Sequence, residues 1–144
     1  MKVEYISELD IRLVVGDTKR PWWGYLIPFY RGKTRWKLLS DFTVVVDGSD
    51  TQTAPKGTII DGASIPKALH THIGHPMTGC YVRAACIHDH HYGTHHIDRK
   101  RADQIFEAGL IECGVTKMDA ALMYSMLRAC GGPAWKSGME RARK

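Results

Sequence analysis

Two hydrophobic periods divide the chain. Over residues 1 to 66 the apolar positions come in short runs, "IRLVV" (11–15), "WGYLIPFY" (23–30), "RWKLLS" (35–40) and "FTVVVD" (42–47). Gly16-Asp17, Arg31-Gly32-Lys33, Asp47-Gly48 and Pro55-Lys56-Gly57 punctuate them. Runs of β-branched and aromatic residues between turn formers read as strands, because those side chains pack well on a pleated, half-buried surface. They predict a small antiparallel sheet, with Pro28 marking an edge or a bulge and "GTIIDGAS" (57–64) leaving the last strand.

From residue 75 the period lengthens to that of a helix. Met77, Tyr81, Ala84, Ala85, His88 and Tyr92 share one face of a helix that Pro76 opens and Gly93 is expected to end. Asp98 caps a second helix with the stripe Ala102, Ile105, Phe106, Gly109, Leu110 and Cys113, stopped at Gly114. Thr116, with Asp119 three residues on, starts a third, whose expected inner face is Met118, Ala121, Leu122, Ser125 and Ala129. Gly131-Gly132-Pro133 is expected to end it, leaving residues 131–144 as a tail anchored by Trp135. The order predicts an α+β fold in one domain over residues 1–144, a small antiparallel β-rich N-terminal half (1–66) packed on a C-terminal three-helix unit (75–130).

Composition narrows the class of protein. A length of 144 residues, 44% hydrophobic and 24% charged, suits a globular domain with a core of its own and excludes a disordered or fibrous chain. The net charge of +5 is spread along the sequence, with clusters at "RKR" (99–101) and "ERARK" (140–144), so an anionic partner is permitted but not required. Trp22, Trp23 and Trp36 do lie among Lys19, Arg20, Arg31, Lys33 and Arg35. Strand aromatics beneath solvated charges explain that patch, and nucleic acid is not the expected partner. Cys80, Cys86, Cys113 and Cys130 form no C-x-x-C pair and read as reduced core thiols in helices. No apolar run reaches the length of a transmembrane segment, and "MKVEYISELD" lacks the apolar stretch of a signal peptide. The expected location is the cytoplasm of the producing cell, unless a particle carries the protein elsewhere.

Five of the eight histidines and an aspartate crowd into "CIHDHHYGTHH" (86–96). His88 and Asp89 diverge by about 100° on a helix and would serve neighbouring tasks. Tyr92 lies one turn after His88, and Arg99 and Asp103 share a face of the next helix. If the two helices run antiparallel across the short connection, Asp103 can hold the His88 imidazole in one tautomer and make it a general base. A buried polar network that fixes helix register uses the same residues. His91 and His95, at i and i+4 with His88 a turn earlier, have the spacing of a Zn2+ site. Against zinc stand the intervening Gly93 and the absence of obvious thiolate or carboxylate partners, which favour a solvated turn. In "DGASIP" (61–66), Asp61 could ligate a metal, Gly62 could let the backbone approach a ligand, and Ser64 could cap a turn. Taken alone, a plain turn is the better account of that stretch, and His72 and His75 could line the same cleft or simply be loop residues.

Taken together, "DGASIP" (61–66), "GHPMTGCYVRAACIHDHHY" (74–92), "RKRADQIFEAGLIECGV" (99–115) and "AALMYSMLRACGGPAW" (120–135) resemble a family of small phage and prophage proteins, the domain-of-unknown-function family DUF1353. The resemblance covers about residues 35–135 and rests on the combination DGAS-x-P, HD-x-x-Y and R-x-x-AD. It implies a phage setting, in the host cytoplasm or in a particle, and no particular activity. "CIHDHHY" followed by R-x-x-AD also resembles the HD-x-x-Y helix of A-two-type phospholipases. That resemblance implies His88 as the base, Asp89 as a Ca2+ ligand, Tyr92 as support and Asp103 as the orienting carboxylate, with calcium polarising an ester or amide carbonyl. The glycine-rich calcium loop and the framing cysteine pairs of those enzymes are missing, and "IIDGAS" with Asp61 would have to supply the remaining oxygens.

The expectation is therefore a phage-associated, metal-assisted hydrolase. Its catalytic residues would be His88, Asp103 and Tyr92, its supporting or substrate-binding residues Arg99, Ser64 and Gly62, and its metal ligands Asp89 and Asp61. The alternative is a non-catalytic accessory protein, a virion or tail component or a host-protein binder, in which the His-Asp-Arg-Asp set is structural.

Overall fold

The computed structural model describes residues 1–14, 35–60 and 81–142, with residues 139–142 described by backbone alone. Its strands are β1 (Val3–Tyr5), β2 (Ile11–Val14), β3 (Arg35–Leu38), β4 (Phe42–Val46), β5 (Asp50–Ala54) and β6 (Ile59–Ile60). They form two antiparallel three-stranded sheets, ordered β1-β4-β5 and β2-β3-β6, where one sheet was expected. The helices are α1 (Tyr81–Thr94), α2 (Arg99–Glu112), α3 (Lys117–Cys130) and α4 (Gly132–Ala142). The arrangement is α+β, as the change of period predicts.

β4 shows why the first half folds as sheet. Phe42, Val44 and Val46 point inward and Thr43 and Val45 outward, the period-two alternation of a strand buried on one face. Val3 faces Val46 and Phe42 faces Ala54 across the ladders. Asp47 and Gly48 both adopt positive φ, 51° and 75°, which lets the chain double back into β5. The inward side chains of β1, β3, β4 and β6 meet Cys86, Ile87, Ile105 and Ala108, so the core seats α1 and α2 on the sheets. A second apolar cluster of Ala84, Ala85, Phe106, Leu110, Ala120, Met123 and Leu127 holds α1, α2 and α3 together.

The predicted caps are in place. Asp98 accepts from the Arg101 backbone N–H at 3.0 Å, and Thr116 accepts from that of Asp119 at 3.1 Å. After α2, Gly114 (φ 88°) lets Val115 N–H reach back to Leu110 O at 3.0 Å.

Four expectations are corrected. Gly93 does not end α1, which continues to Thr94 and stops where His95 turns to φ 58°; an exposed glycine in the last turn costs too little to break the helix there. Residues 131–142 are a fourth helix rather than a tail, because Pro133 stands in its first turn, where a missing N–H is harmless. On α3 the buried residues are Ala120, Met123 and Leu127, while Met118 (79% exposed), Ala121, Leu122 (46%), Ser125 and Ala129 face outward. Both stripes are apolar, and the phase is set by Phe106 and Leu110 of α2, which Ala120, Met123 and Leu127 meet. Cys86 is a buried core thiol as expected, with burial pushing its pKa up, whereas Cys130 is exposed. The expected strand 23–30, the motif 61–66, and His72, His75, Met77 and Cys80 lie outside the described residues.

α4 crosses α1 at Gly138, where a Cβ would stand 1.9 Å from the Tyr92 carbonyl oxygen. Since that obstacle is backbone, Gly138→Ala must push the helices apart. It is expected to destabilise the protein by about 1–3 kcal/mol, the usual cost of overpacking. A melting temperature equal to that of the parent would show that α4 is loosely held.

Candidate functional site

α1 and α2 run antiparallel. His88 meets Asp103 and Phe106, and Ala84, one turn earlier, lies beside Gly109, more than a turn later. Small residues at 84 and 109 let the backbones approach, which brings the longer side chains of His88 and Asp103 within hydrogen-bonding reach.

Asp103 is the centre of the arrangement and is 0% exposed. Its Oδ1 accepts from His88 Nε2 at 2.9 Å and from the Tyr92 hydroxyl at 2.7 Å. Its Oδ2 accepts from Arg128 Nη1 at 2.8 Å and stands 3.6 Å from Arg99 Nε. Burial by itself pushes the carboxyl up, but the bonds from His88, Tyr92 and Arg128 prevail and hold it below the usual carboxylate range. The Tyr92 phenol moves the other way, pushed up by burial and by the neighbouring carboxylate. Its ring lies 4.1 Å from that of His88 and meets Trp135 of α4 edge-on at 5.0 Å.

This geometry fixes the tautomer of His88. A carboxylate held ionised can only accept, so Nε2 carries the proton that it donates. Nδ1 is left as the acceptor nitrogen, buried and without a hydrogen-bond partner.

The residues expected in the site separate. His88, Tyr92, Asp103 and Arg99 come together, but Arg99 also donates through Nη2 to the carbonyls of Leu127, at 3.2 Å, and Arg128, closing the C-terminal end of α3. Its role here is to tie α3 to α2. Asp89, half-buried, follows His88 on α1. Gly62, Ser64 and Asp61 lie outside the described residues. Arg128 was not anticipated. It adjoins Leu127 on α3, and only the correct phase of that helix, with Ala120, Met123 and Leu127 inward, would have pointed to it.

The three histidines with the spacing of a zinc site, His88, His91 and His95, go separate ways. His88 is committed to Asp103, and His95 Nε2 donates to the Trp135 carbonyl at 2.9 Å, with the two rings 4.0 Å apart. Among the described residues no three His, Cys, Asp or Glu side chains stand ready to hold a metal ion. His91 instead lies with His90 and His96, the last of which reaches Gln52 of β5. Burial, then His96 and His90, draws the His91 pKa down to about 3; burial, then His96, draws that of His90 down to about 4.

The fold and site thus define an α+β domain with a carboxylate-oriented imidazole buried between two antiparallel helices. The chain belongs to the family described as "Protein of unknown function (DUF1353)", whose profile matches residues 36–127. Two proteins of Sinorhizobium fredii are similar to it. "Uncharacterized protein y4iH" is 37% identical over 106 residues, covering 72% of this chain and 44% of its own. "Uncharacterized protein y4jT" is 34% identical over 99 residues, 69% of this chain and 29% of its own. The chain therefore spans less than half the length of either relative. No solved structure matches it. Among the described residues no helix is long and apolar enough to cross a membrane.

Proposed function

We propose that the domain is a hydrolase of an ester or amide in which His88 Nδ1 is the general base. The observation that carries this reading is the 2.9 Å bond between His88 Nε2 and Asp103, which leaves Nδ1 as a lone-pair nitrogen with no protein partner. A water at Nδ1 would give up its proton there as its oxygen attacks the acyl carbon. The imidazolium formed would be stabilised by Asp103, which Tyr92 and Arg128 keep ionised. As the tetrahedral intermediate collapses, Nδ1–H would return the proton to the departing alcohol or amine.

Calcium has a weaker claim. It takes about six to eight oxygen ligands, and the described residues offer Asp89 beside the base without gathering three ligand side chains. They do not by themselves fit the ion, and the step above is derived without it.

One observation favours a second reading. The His88 ring is completely shielded, and the Asp103 cluster ties α1, α2 and α3 together. These features suit a non-catalytic phage accessory, tail component or host-protein binder in which the set is structural.

His88→Gln separates the two. The glutamine amide can still donate to Asp103 Oδ1, but nothing replaces Nδ1. On a panel of p-nitrophenyl acyl esters, acyl amides and phospholipid vesicles, the variant is expected to lose about 10²-fold or more of the parent's turnover while melting within a few degrees of it. A parent with no turnover on any of them, or a variant with equal turnover, would overturn the hydrolase and leave the structural reading.

A further inference from the structure

We propose that the outer face of the β2-β3-β6 sheet is a docking surface for the phosphate backbone of duplex nucleic acid, held by Arg12, Arg35 and Lys37. This inference does not rest on the hydrolase reading and uses none of its residues.

The strand register makes the surface. Arg12 stands directly opposite Lys37, and Val14 opposite Arg35. Side chains alternate along a strand, so Arg12, Val14, Arg35 and Lys37 share one face, while Ile11, Trp36 and Leu38 turn the other way and pack in the core. Lys37 also faces Ile59 of β6. All three bases are exposed. In the sequence Arg12 is remote from Arg35 and Lys37, and only the pairing of β2 with β3 gathers them.

The second observation is what these bases lack. Like charges directly opposite on a ladder repel, whereas opposite charges there stabilise the pair. Among the described residues, no carboxylate forms an ion pair with Arg12, Arg35 or Lys37, and none of the three side chains makes a hydrogen bond. The nearest acids along these strands, Asp10 and Asp41, stand beyond the Ile11–Leu38 pair, and Asp41 accepts from the Lys56 backbone N–H at 2.7 Å. A Cβ at Gly57 would lie 3.8 Å from Lys37 Cε, so the turn that carries the exposed Lys56 borders the same patch. Long basic side chains often serve to cover apolar neighbours. Here Val14 and Ile59 remain 38% and 48% exposed, so cover is not what the bases provide. Repulsion left uncompensated within the protein is matched by an anion from outside it.

Charge complementarity names the occupant. Opposed residues on paired strands lie about 5 Å apart and residues two apart on one strand about 7 Å apart, so the three bases form a tight cluster. A nucleic-acid duplex, with one phosphate per about 1.7 Å of axis counted over both strands, presents fixed anions densely enough to meet all three. Two of the bases are arginines, whose guanidinium fork suits phosphate oxygens. The outer face carries no aromatic side chain among the described residues to stack on a base, which leaves the backbone as the part recognised and predicts binding without sequence preference. A membrane surface would call for larger apolar or aromatic anchors than Val14 and Ile59.

The test uses the full chain and a fluorescently labelled duplex DNA, with anisotropy read over about 50 to 200 mM salt. The parent is expected to bind with a Kd of about 10⁻⁶ to 10⁻⁴ M, the range of sequence-independent binding. The double variant Arg12→Gln/Lys37→Gln removes a repulsion at exposed positions and should melt no lower than the parent. It is expected to bind about tenfold or more weakly and to reduce the slope of log affinity against log salt by about two. Lys100→Gln/Lys117→Gln removes the same net charge at exposed positions on α2 and α3, and should leave the slope unchanged and the affinity within about twofold. Three results would each overturn the assignment: no binding by the parent at about 50 mM salt, an equal loss in Lys100→Gln/Lys117→Gln, or equal binding to poly-glutamate or to phosphatidylserine vesicles. The second would show an effect of net charge alone, and the third a surface for another class of anionic partner.

Discussion

Asp103→Asn is expected to cost the fold about 3–5 kcal/mol, the range for breaking a buried ionic arrangement by removing one partner. The amide keeps one accepting oxygen, which His88 and Tyr92 can still use. Where Oδ2 was, an N–H₂ group then points at Arg128 Nη1, formerly at 2.8 Å, with Arg99 Nε close behind. Two guanidinium groups face a donor, and one of them ties down the end of α3. Urea unfolding should show the loss as a lower midpoint with an unchanged slope. Adding Arg128→Met should recover part of it, since the two residues share one interaction and their effects cannot simply add. The depressed pKa of Asp103 gives the matching pH signature. Its stabilising contribution is complete above the ordinary carboxylate pKa and is lost as pH falls through the lower folded value. A cost below about 1 kcal/mol, the range of an exposed pair, would mean that the cluster does not bind the helices together. A cost of the expected size also explains why Asp103 variants cannot decide whether His88 is catalytic. They would abolish turnover by unfolding as readily as by disorienting the base, whereas His88→Gln keeps the bond and removes only Nδ1.

What the sequence revealed follows from which interactions are local. Phe42-Val44-Val46 announces a strand because alternation survives whatever the strand packs on. Asp98 and Thr116 announce helix starts because a cap is a bond across three residues. β5, "DTQTA", is nearly all polar and is a strand only because β4 pairs with it. β1 is three residues long and is held in the same way. The end of α1 and the existence of α4 were hidden because Gly93 and Gly131-Gly132-Pro133 look like breakers, and tertiary contacts overrule them: Trp135 packs on Tyr92 and His95 and gives α4 its purchase. The candidate site divides along the same line. His88, Tyr92 and Asp103 could be brought together from spacing, since two helices joined by a short connection have one way to meet. Arg128 could not, because its place depends on which of two apolar stripes of α3 turns inward. Nor could the burial of His91, which depends on how α1 lies against the sheets.

Acid should destabilise the protein through His91 and His90. Unfolded, each histidine takes up its proton near pH 6.5. Folded, each is held neutral to about 3 and about 4 respectively, His91 by burial and then His96 and His90, His90 by burial and then His96. The sign follows directly. Below about pH 6.5 the unfolded chain binds more protons than the native one, so stability is fully present above that pH and falls as pH drops toward the folded values. Each group contributes up to about 1.4 kcal/mol per pH unit, so the pair can remove several kcal/mol by pH 4.5. The physical obstacle is plain: a proton on either ring puts charge on a buried imidazole 5.8 Å from the other and within 4.8 to 5.3 Å of the exposed His96 ring. His91→Phe tests the assignment, since it fills nearly the same space without nitrogens to leave unsatisfied. It is expected to halve the slope of stability against pH between 4.5 and 6 and to make the protein more stable than the parent at pH 5, about where both native rings are still neutral. Urea midpoints measured across that range with EDTA present would show it. A parent whose midpoint stays level from pH 6.5 to 4.5 would mean that these rings already reach water.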